Sequence, residues 1–202
     1  NLEIIDGKTE AQLVLRGVRS HPEFRDGLLS VIDVGGGSTE LMVVNDDEWL
    51  HQKSHPLGTV RWLDQFKPSD QPTADERNIV TKSIDEFFDK HIAPDLKNIS
   101  LPDILVGAGG TPVFLAQIFA NSDELSQQEI ESTTLSLVNV QSLTDQLWSL
   151  PLEDRRQLPG LPANRADVIL IGAVIYKIVM KQFGFSELRP TLRGVRYGAL
   201  LD

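Results

Sequence analysis

Residues 31–41 read VIDVGGGSTEL, in which three consecutive glycines separate two apolar runs. The runs at 28–33 and 40–44 predict two strands joined by a glycine-rich hairpin. Glycine has no Cβ and tolerates positive φ, so successive backbone N–H groups in such a turn can converge on an anion. The segment therefore predicts a phosphate-binding loop formed by Gly35, Gly36, Gly37, Ser38 and Thr39.

Two carboxylates flank this predicted loop. Asp33 precedes the glycines by two residues and Glu40 follows Thr39, a spacing suited to holding a hydrated divalent cation against phosphate oxygens. A bare triple glycine is also compatible with an ordinary tight hairpin that binds nothing. The whole string at 31–41 is more specific than its glycines, and it favours the phosphate site.

A second glycine turn, at 107–111, follows a short buried strand predicted at 104–106. A helix is predicted behind it at 112–119, with Pro112 in the first turn, where its missing N–H does no harm. Two glycine-rich turns at strand ends of a mixed α/β chain are typical of phosphate-binding folds. Periodicity predicts further strands at 2–5, 49–55 and 188–192, further helices at 9–18, 74–89, 140–150, 152–158 and 166–183, and a surface connection at 121–132.

Composition limits the classes of function. The chain of 202 residues, 41% of them apolar, has the size of a single domain, so we expect one domain over 1–202. A net charge of -10 disfavours nucleic-acid binding but not small phosphate ligands, which backbone N–H groups and a divalent cation can hold. The absence of cysteine excludes disulfides, thiolate zinc sites and cysteine nucleophiles. No apolar run is long enough to span a bilayer, so a cytoplasmic protein without a membrane partner is expected.

The string at 31–41 resembles the second phosphate loop of the sugar kinase, heat-shock chaperone and actin superfamily. Its Ser-Thr-Glu ending is similar to the exopolyphosphatase and guanosine pentaphosphate phosphohydrolase (Ppx/GppA) family. The resemblance implies an α/β fold of the ribonuclease H-like, actin-like type, with a central five-stranded mixed sheet, helices on both faces, and the strands at 28–33, 40–44 and 104–106 in its centre. Further stretches that resemble family motifs, in the same order, lie at 4–11, 107–111, 158–169 and 193–198.

The resemblance also marks a catalytic residue. The family has two adjacent glutamates where this chain has Thr9 and Glu10, and the second, catalytic one is retained as Glu10. Without the resemblance, a glutamate at a helix N-terminus is explained well enough by the helix dipole. The family's first domain, which carries the other phosphate loop, is absent from these 202 residues. The chain thus resembles the second domain and is expected to hold half of an active site.

The implied activity is a Mg²⁺-dependent phosphohydrolase that releases terminal phosphate from inorganic polyphosphate or guanosine pentaphosphate. Glu10 would be the base, Glu40 would hold the metal or the attacking water, and Asp33 would bind Mg²⁺ directly or through water. The isolated fragment is expected to be weakly active or inactive, and the full-length protein to be a homodimer. In the second turn Gly109, Gly110 and Thr111 are candidate phosphate-binding residues, although packing of the strand against the following helix is an equal alternative.

Two other functions stay open. A small-molecule kinase of the same superfamily would share the glycine turns, but Glu10 and the Ser-Thr-Glu string at 38–40 argue against it. A non-catalytic phosphate-binding domain is not excluded by residue types. Arg155, Arg156 and Arg165 could assist a polyanion, but the acids beside them, such as Glu153, Asp154 and Asp167, favour paired surface or structural charges. His21, His51, His55 and His91 share no metal-ligand spacing and are expected to be solvated.

Overall fold

The computed structural model describes residues 6–201, and a mixed sheet forms its centre. The strands are β1 (Leu28–Val34), β2 (Thr39–Asn45), β3 (Glu48–His55), β4 (Ile104–Ala108), β5 (Leu135–Ser136) and β6 (Glu187–Pro190). Their order across the sheet is β3-β2-β1-β4-β6-β5. The β1–β4 and β4–β6 pairs are parallel, and the other neighbours are antiparallel. The three strands predicted to be central, β1, β2 and β4, are confirmed in that position.

Helices connect the strands and cover the sheet. They are α1 (Gly7–Arg19), α2 (Thr59–Phe66), α3 (Ala74–His91), α4 (Ala93–Leu96), α5 (Gly110–Ala120), α6 (Gln127–Ser132), α7 (Leu137–Ser149), α8 (Leu152–Arg155), α9 (Ile169–Phe183) and α10 (Val195–Ala199). The N-cap of helix α3 is Thr73, which forms a capping box with Glu76. Within 6–201, no helix combines the length and the apolar character required to cross a membrane.

Successive side chains of the central strands point to opposite faces of the sheet, and each face forms its own hydrophobic core. Ile32 of β1 and Leu41 of β2 face the larger core, to which α3, α5 and α7 each contribute apolar side chains. Most residues of α9 are buried in this core as well. Val31 and Met42, one residue along, face a smaller core formed with α1. The prediction of helices on both faces is confirmed, because each face of the sheet is apolar and each is covered.

Two predictions about the elements are wrong. The sheet has six strands rather than five, because the two residues of β5 pair antiparallel with β6. A strand of two residues is too short to show alternation in the sequence. The polar stretch predicted as a surface connection contains α6, which begins with a capping box between Ser126 and Glu129. The strand predicted at 2–5 lies outside the described residues.

Close backbone contact fixes α1 against α10 near the end of the chain. A Cβ at Gly198 would overlap the carbonyl of Leu13, and one at Gly17 would overlap the carbonyl of Arg193. Only glycine permits helices to approach so closely. The position of α10 is therefore set by α1, which carries Glu10.

Candidate functional site

The two glycine turns lie side by side at the carboxyl ends of two central strands. Strands β1 and β4 are parallel neighbours, with Asp33 opposite Ala108, so both turns follow the carboxyl ends of adjacent strands. Such an edge is where open α/β sheets bind ligands. Both turns line one cavity of about 360 Å³, together with Asp33 and with residues of α5 and α9. The structure thus brings together two predicted sites that are far apart in sequence.

The first turn directs its carbonyl and N–H groups to different partners. The N–H of Gly35 donates to the carbonyl of Ser38 at 2.9 Å and closes the hairpin. The carbonyls of Gly35 and Gly36 accept hydrogen bonds of 2.9–3.0 Å from the first turn of α2. Among the described residues, no backbone partner is found for the N–H groups of Gly36, Gly37 and Ser38. These three donors are the ones that an anion could satisfy.

Gly58, just before α2, was not anticipated from the sequence. A Cβ at this position would overlap the backbone of Gly36 and Gly37, so the loop packs directly on the residue that precedes the helix. The signal in the sequence is a glycine just before a short amphipathic pattern at 59–66, which forms helix α2 although no helix was predicted there. Gly58 supports the loop and does not line the cavity.

Side chains after the glycines stabilise the hairpin. The hydroxyls of Ser38 and Ser54 both donate to Oε1 of Glu40, at 2.7 and 2.6 Å. The buried hydroxyl of Thr39 donates to the carbonyl of Leu57. Glu40 is therefore held in one orientation beside the loop. The Thr39 hydroxyl is already hydrogen-bonded to Leu57, so it is not directed at an anion in the loop.

Asp33 lies between the two turns and is the most perturbed carboxylate of the site. It stands directly opposite Glu40 in the antiparallel pair of β1 and β2. Burial, and then the negative charges of Glu40 and Glu10, raise the pKa of Asp33 from 3.8 to about 6. Within the described part of the chain, no hydrogen bond or ion pair to the Asp33 carboxylate is found. A cation at this position would relieve both the burial and the repulsion.

The donor set around Asp33 fits Mg²⁺, which prefers carboxylate oxygens and keeps several of its waters. Asp33, Glu40 and Glu10 supply such oxygens. They do not form a compact three-ligand cage: among residues 6–201, the one cluster whose three ligand atoms lie within 4.8 Å of one another is elsewhere, on β3 and α4. Any ion on Asp33 would therefore reach at least one of the glutamates through water, as the sequence analysis allowed.

The second turn presents the N-terminus of α5. Gly109 has a φ of 84° and precedes the helix without a side-chain cap. Gly110 and Thr111 supply the first two N–H groups and line the cavity, and Pro112 has none to offer. A helix N-terminus of this kind binds anions. The Thr111 side chain is buried against Gly172, so its contribution would come from the backbone.

Two arginines complete the cavity wall. Arg165 and Arg196 both line it and both are exposed. No hydrogen bond or ion pair to either side chain is found within 6–201, so the predicted pairing of Arg165 with an acid is wrong. Arg196 was not assigned to the site, although it lies in the family-like motif at 193–198, because the spacing of residues does not show that α10 packs beside this cavity. The position of α10 results from the glycine contacts with α1.

The other two arginines singled out in the sequence, Arg155 and Arg156, lie outside the cavity. Arg155 is buried, with 2% of its surface exposed, and donates to the carbonyls of Ala166 and Leu150. Arg155 is thus a structural charge, but backbone carbonyls rather than acids accept its hydrogen bonds. Arg156 does form the expected exposed pair, with Glu153. Neither arginine lines the cavity.

Glu10 lies in the first turn of α1 and is partly buried. Its charge is one of the two that act on Asp33, so the helix start and the hairpin lie near each other. The N-cap of α1 is Asp6, which accepts a hydrogen bond of 2.7 Å from the N–H of Thr9. Glu10 is thus free of the capping role and available to the site.

One expectation about histidines is wrong. His55 is buried, with 2% exposed, rather than solvated, while His21 and His51 are half-buried and His91 is exposed. His55 ends β3, where the apolar side chains of the larger core enclose it. A spacing of four residues on a strand was not recognised as placing His51 and His55 on one face.

The model of the Ppx/GppA phosphatase family matches residues 1–202. The chain belongs to the Ppx/GppA phosphatase family. Among relatives, it is 25% identical over 200 residues to a putative exopolyphosphatase of Haemophilus influenzae, covering 98% of this chain and 59% of that protein. It is 30% identical over 202 residues to the guanosine-5'-triphosphate,3'-diphosphate pyrophosphatase of Aeromonas hydrophila, covering 100% of this chain and 38% of that protein.

Solved structures agree with this Ppx/GppA membership. An exopolyphosphatase from Cytophaga hutchinsonii superposes with a TM-score of 0.86 at 26% identity, covering 100% of this chain and 64% of that one. The Aquifex aeolicus PPX-GPPA enzyme gives a TM-score of 0.84 at 26% identity, with coverages of 98% and 64%. The actin-like α/β fold expected from the resemblance is confirmed. The chain spans less than two thirds of the length of each of these two relatives and two structures.

Proposed function

We propose that this chain forms one side of the active site of a Mg²⁺-dependent phosphohydrolase that releases terminal phosphate from inorganic polyphosphate or guanosine pentaphosphate. The names of the Haemophilus and Aeromonas relatives support these two substrates. The observation that carries the proposal is the Asp33 carboxylate, unpaired among the described residues and set between the free N–H groups of 36–38 and the N-terminus of α5. A first domain of the family would supply the opposite side and the other phosphate loop.

Each group has a distinct part in phosphoanhydride hydrolysis. The N–H groups of 36–38 and of the start of α5 would bind phosphate oxygens, and Arg165 and Arg196 would neutralise their charge. Glu10 would orient or deprotonate the attacking water. Asp33, with Glu40 beside it, would hold Mg²⁺, which supplies positive charge to the phosphoryl oxygens when bound.

The proposal is tested in a protein that joins this chain to a first domain of the family. Phosphate release is measured on long-chain polyphosphate and on guanosine pentaphosphate in parallel, with and without Mg²⁺. Glu10→Gln should lower turnover by roughly 10²-fold or more, with KM nearly unchanged, because only the positioned base is lost. The exposed Glu124→Gln is the matched control and should keep wild-type turnover.

The outcomes separate the alternatives. Wild-type turnover in Glu10→Gln on both substrates would exclude Glu10 as the base. Tight phosphate binding without hydrolysis by the joined protein would favour the non-catalytic phosphate-binding domain, and transfer to an added acceptor instead of water would favour the kinase. The isolated chain should hydrolyse slowly or not at all. The homodimer is expected from the resemblance alone, and sedimentation of the joined protein would test it.

A further inference from the structure

Two histidines and an aspartate meet on the side of the edge strand β3 away from Glu40. His51, His55 and Asp95 each offer a ligand atom, and the three atoms lie within 4.8 Å of one another. Residues 51 and 55 share one face of β3, since side chains alternate along a strand. Ser54, which donates to Glu40, is on the other face. The cluster is therefore separate from the site around Asp33.

The imidazoles lack the hydrogen bonds that buried polar atoms normally make. The Nε2 atoms of both His51 and His55 are buried without a partner among the described residues. The large majority of buried side-chain polar atoms in proteins have a hydrogen-bond partner, so two neighbouring exceptions point to a missing ligand. Burial lowers the pKa of both histidines, that of His55 to about 4, so each ring is neutral near neutral pH. Neutral imidazole is the form that binds metal ions.

Lys53 and His91 are the basic groups that face the cluster. The Lys53 ammonium lies 2.6 Å from Oδ2 of Asp95, and both side chains are at least one third exposed. Exposed pairs of this kind are weak. Protonated His91, at the end of α3, would also oppose positive charge near His55. A metal ion in the cluster would replace the Lys53 ammonium as the partner of Asp95.

We propose that His51, His55 and Asp95 form a site for a divalent transition metal such as Zn²⁺, linking the edge strand β3 to α4. Two imidazoles and one carboxylate are typical of zinc ligands, with water in the fourth position. Mg²⁺ prefers oxygen ligands, so the site would select against the cation proposed for Asp33. The inference does not depend on the proposed phosphohydrolase function.

The test is titration of the metal-free chain with Zn²⁺ alone, in a phosphate-free buffer near neutral pH, with a chromogenic zinc indicator as competitor. We expect one high-affinity site per chain. His51→Gln and His55→Gln should each weaken binding by about tenfold or more. Lys53→Met should tighten it by roughly tenfold, because the competing charge is removed. In unfolding experiments, adding Zn²⁺ should stabilise the wild type but not the His51→Gln and His55→Gln variants.

The controls separate this site from others on the chain. His21→Gln, which alters a half-buried histidine elsewhere, and Asp33→Asn should both leave Zn²⁺ affinity unchanged. If His55→Gln does not fold, His51→Gln and the exposed Asp95→Asn carry the test. The proposal would be overturned if the wild type did not bind Zn²⁺, or if His51→Gln and Asp95→Asn bound it as tightly as the wild type does. An effect of Asp33→Asn as large as that of the ligand variants would overturn it too. Weaker binding in Lys53→Met would overturn it as well, since the lysine would then be part of the site.

Discussion

The carboxylate of Asp33 occupies the space that a side chain at Gly109 would need, because a Cβ built on Gly109 would lie 2.6 Å from Oδ1 of Asp33. Gly109 also has a positive φ of 84°. With ψ of -170°, this backbone conformation is open essentially to glycine alone, so Gly109→Ala should both strain the backbone, at about 1–3 kcal/mol, and displace Asp33. We expect lower stability in urea unfolding and a loss of tripolyphosphate affinity by titration calorimetry.

Gly184→Ala is the matched control for this substitution. Gly184 has a similar φ of 75°, but nothing lies within 4 Å of its Cβ position. With ψ of 20°, Gly184 lies in the left-handed helical region, which costs an alanine less than the ψ of -170° at Gly109. Gly184→Ala should therefore lose less stability than Gly109→Ala and keep anion affinity. Equal anion affinity in Gly109→Ala and Gly184→Ala would show that the contact with Asp33 does not matter for binding.

Asp33→Asn is expected to stabilise the chain. The pKa of Asp33 is about 6 in the folded state against 3.8 ordinarily, so ionisation opposes folding. The difference corresponds to on the order of 3 kcal/mol. The variant should be more stable than wild type above pH 6, with the gain shrinking as pH falls and vanishing below 3.8.

Urea unfolding at several pH values measures this effect. The exposed Asp64→Asn serves as control and should show no such pH-dependent gain. Mg²⁺ with phosphate should stabilise wild type but not Asp33→Asn. A variant that is less stable than wild type above pH 6 would mean that Asp33 makes a favourable interaction in the folded state.

Arg165→Ala and Arg196→Ala should each weaken the binding of tripolyphosphate by about tenfold, because each removes one cation from the cavity wall. Neither should alter stability by more than about 0.5 kcal/mol, since both side chains are exposed and unpaired among the described residues. Arg25→Ala, an exposed arginine away from this cavity, should leave binding unchanged. Calorimetry at two salt concentrations checks the charge dependence, and wild-type affinity in both variants would remove the arginines from the site.

Gly36→Val should abolish anion binding by the first turn. The Cβ would lie 3.2 Å from Cγ2 of Val60, and the branched side chain would extend over the unpaired N–H groups of the loop. Gly36→Ala adds less bulk and should weaken binding less. Titration with phosphate and tripolyphosphate measures both, and unchanged affinity in Gly36→Val would show that the loop does not bind the anion.

The local sequence pattern was sufficient to predict the central strands and most of the long helices. The apolar runs and the glycines at 35–37 determine β1, the hairpin and β2, whose pairing is local. Strand β5 has only two residues and exists through pairing with β6, some 50 residues later, so no local pattern could predict it. Helix α6 was missed because its polar face resembles a loop, although Ser126 and Glu129 carried a capping-box signal.

For the site, the sequence indicated the parts but not their surroundings. Asp33, Glu40 and both glycine turns were identified from motifs, and the parallel pairing of β1 and β4 brings them together. The approach of Arg196 depends on the contact of α10 with α1. The cluster of His51, His55 and Asp95 requires α4 to pack beside β3. Such contacts between distant segments leave no trace in residue spacing.

The hydrogen bonds between the carbonyls of Gly35 and Gly36 and the first turn of α2 fix the peptide planes of the loop before any ligand arrives. A run of three glycines would otherwise sample many backbone conformations, and an anion would have to order them on binding. Here that conformational entropy is already lost when the chain folds. Phosphate affinity should therefore depend on the stability of α2 as much as on the glycines, and fraying of that helix would weaken binding without changing any group that contacts the anion.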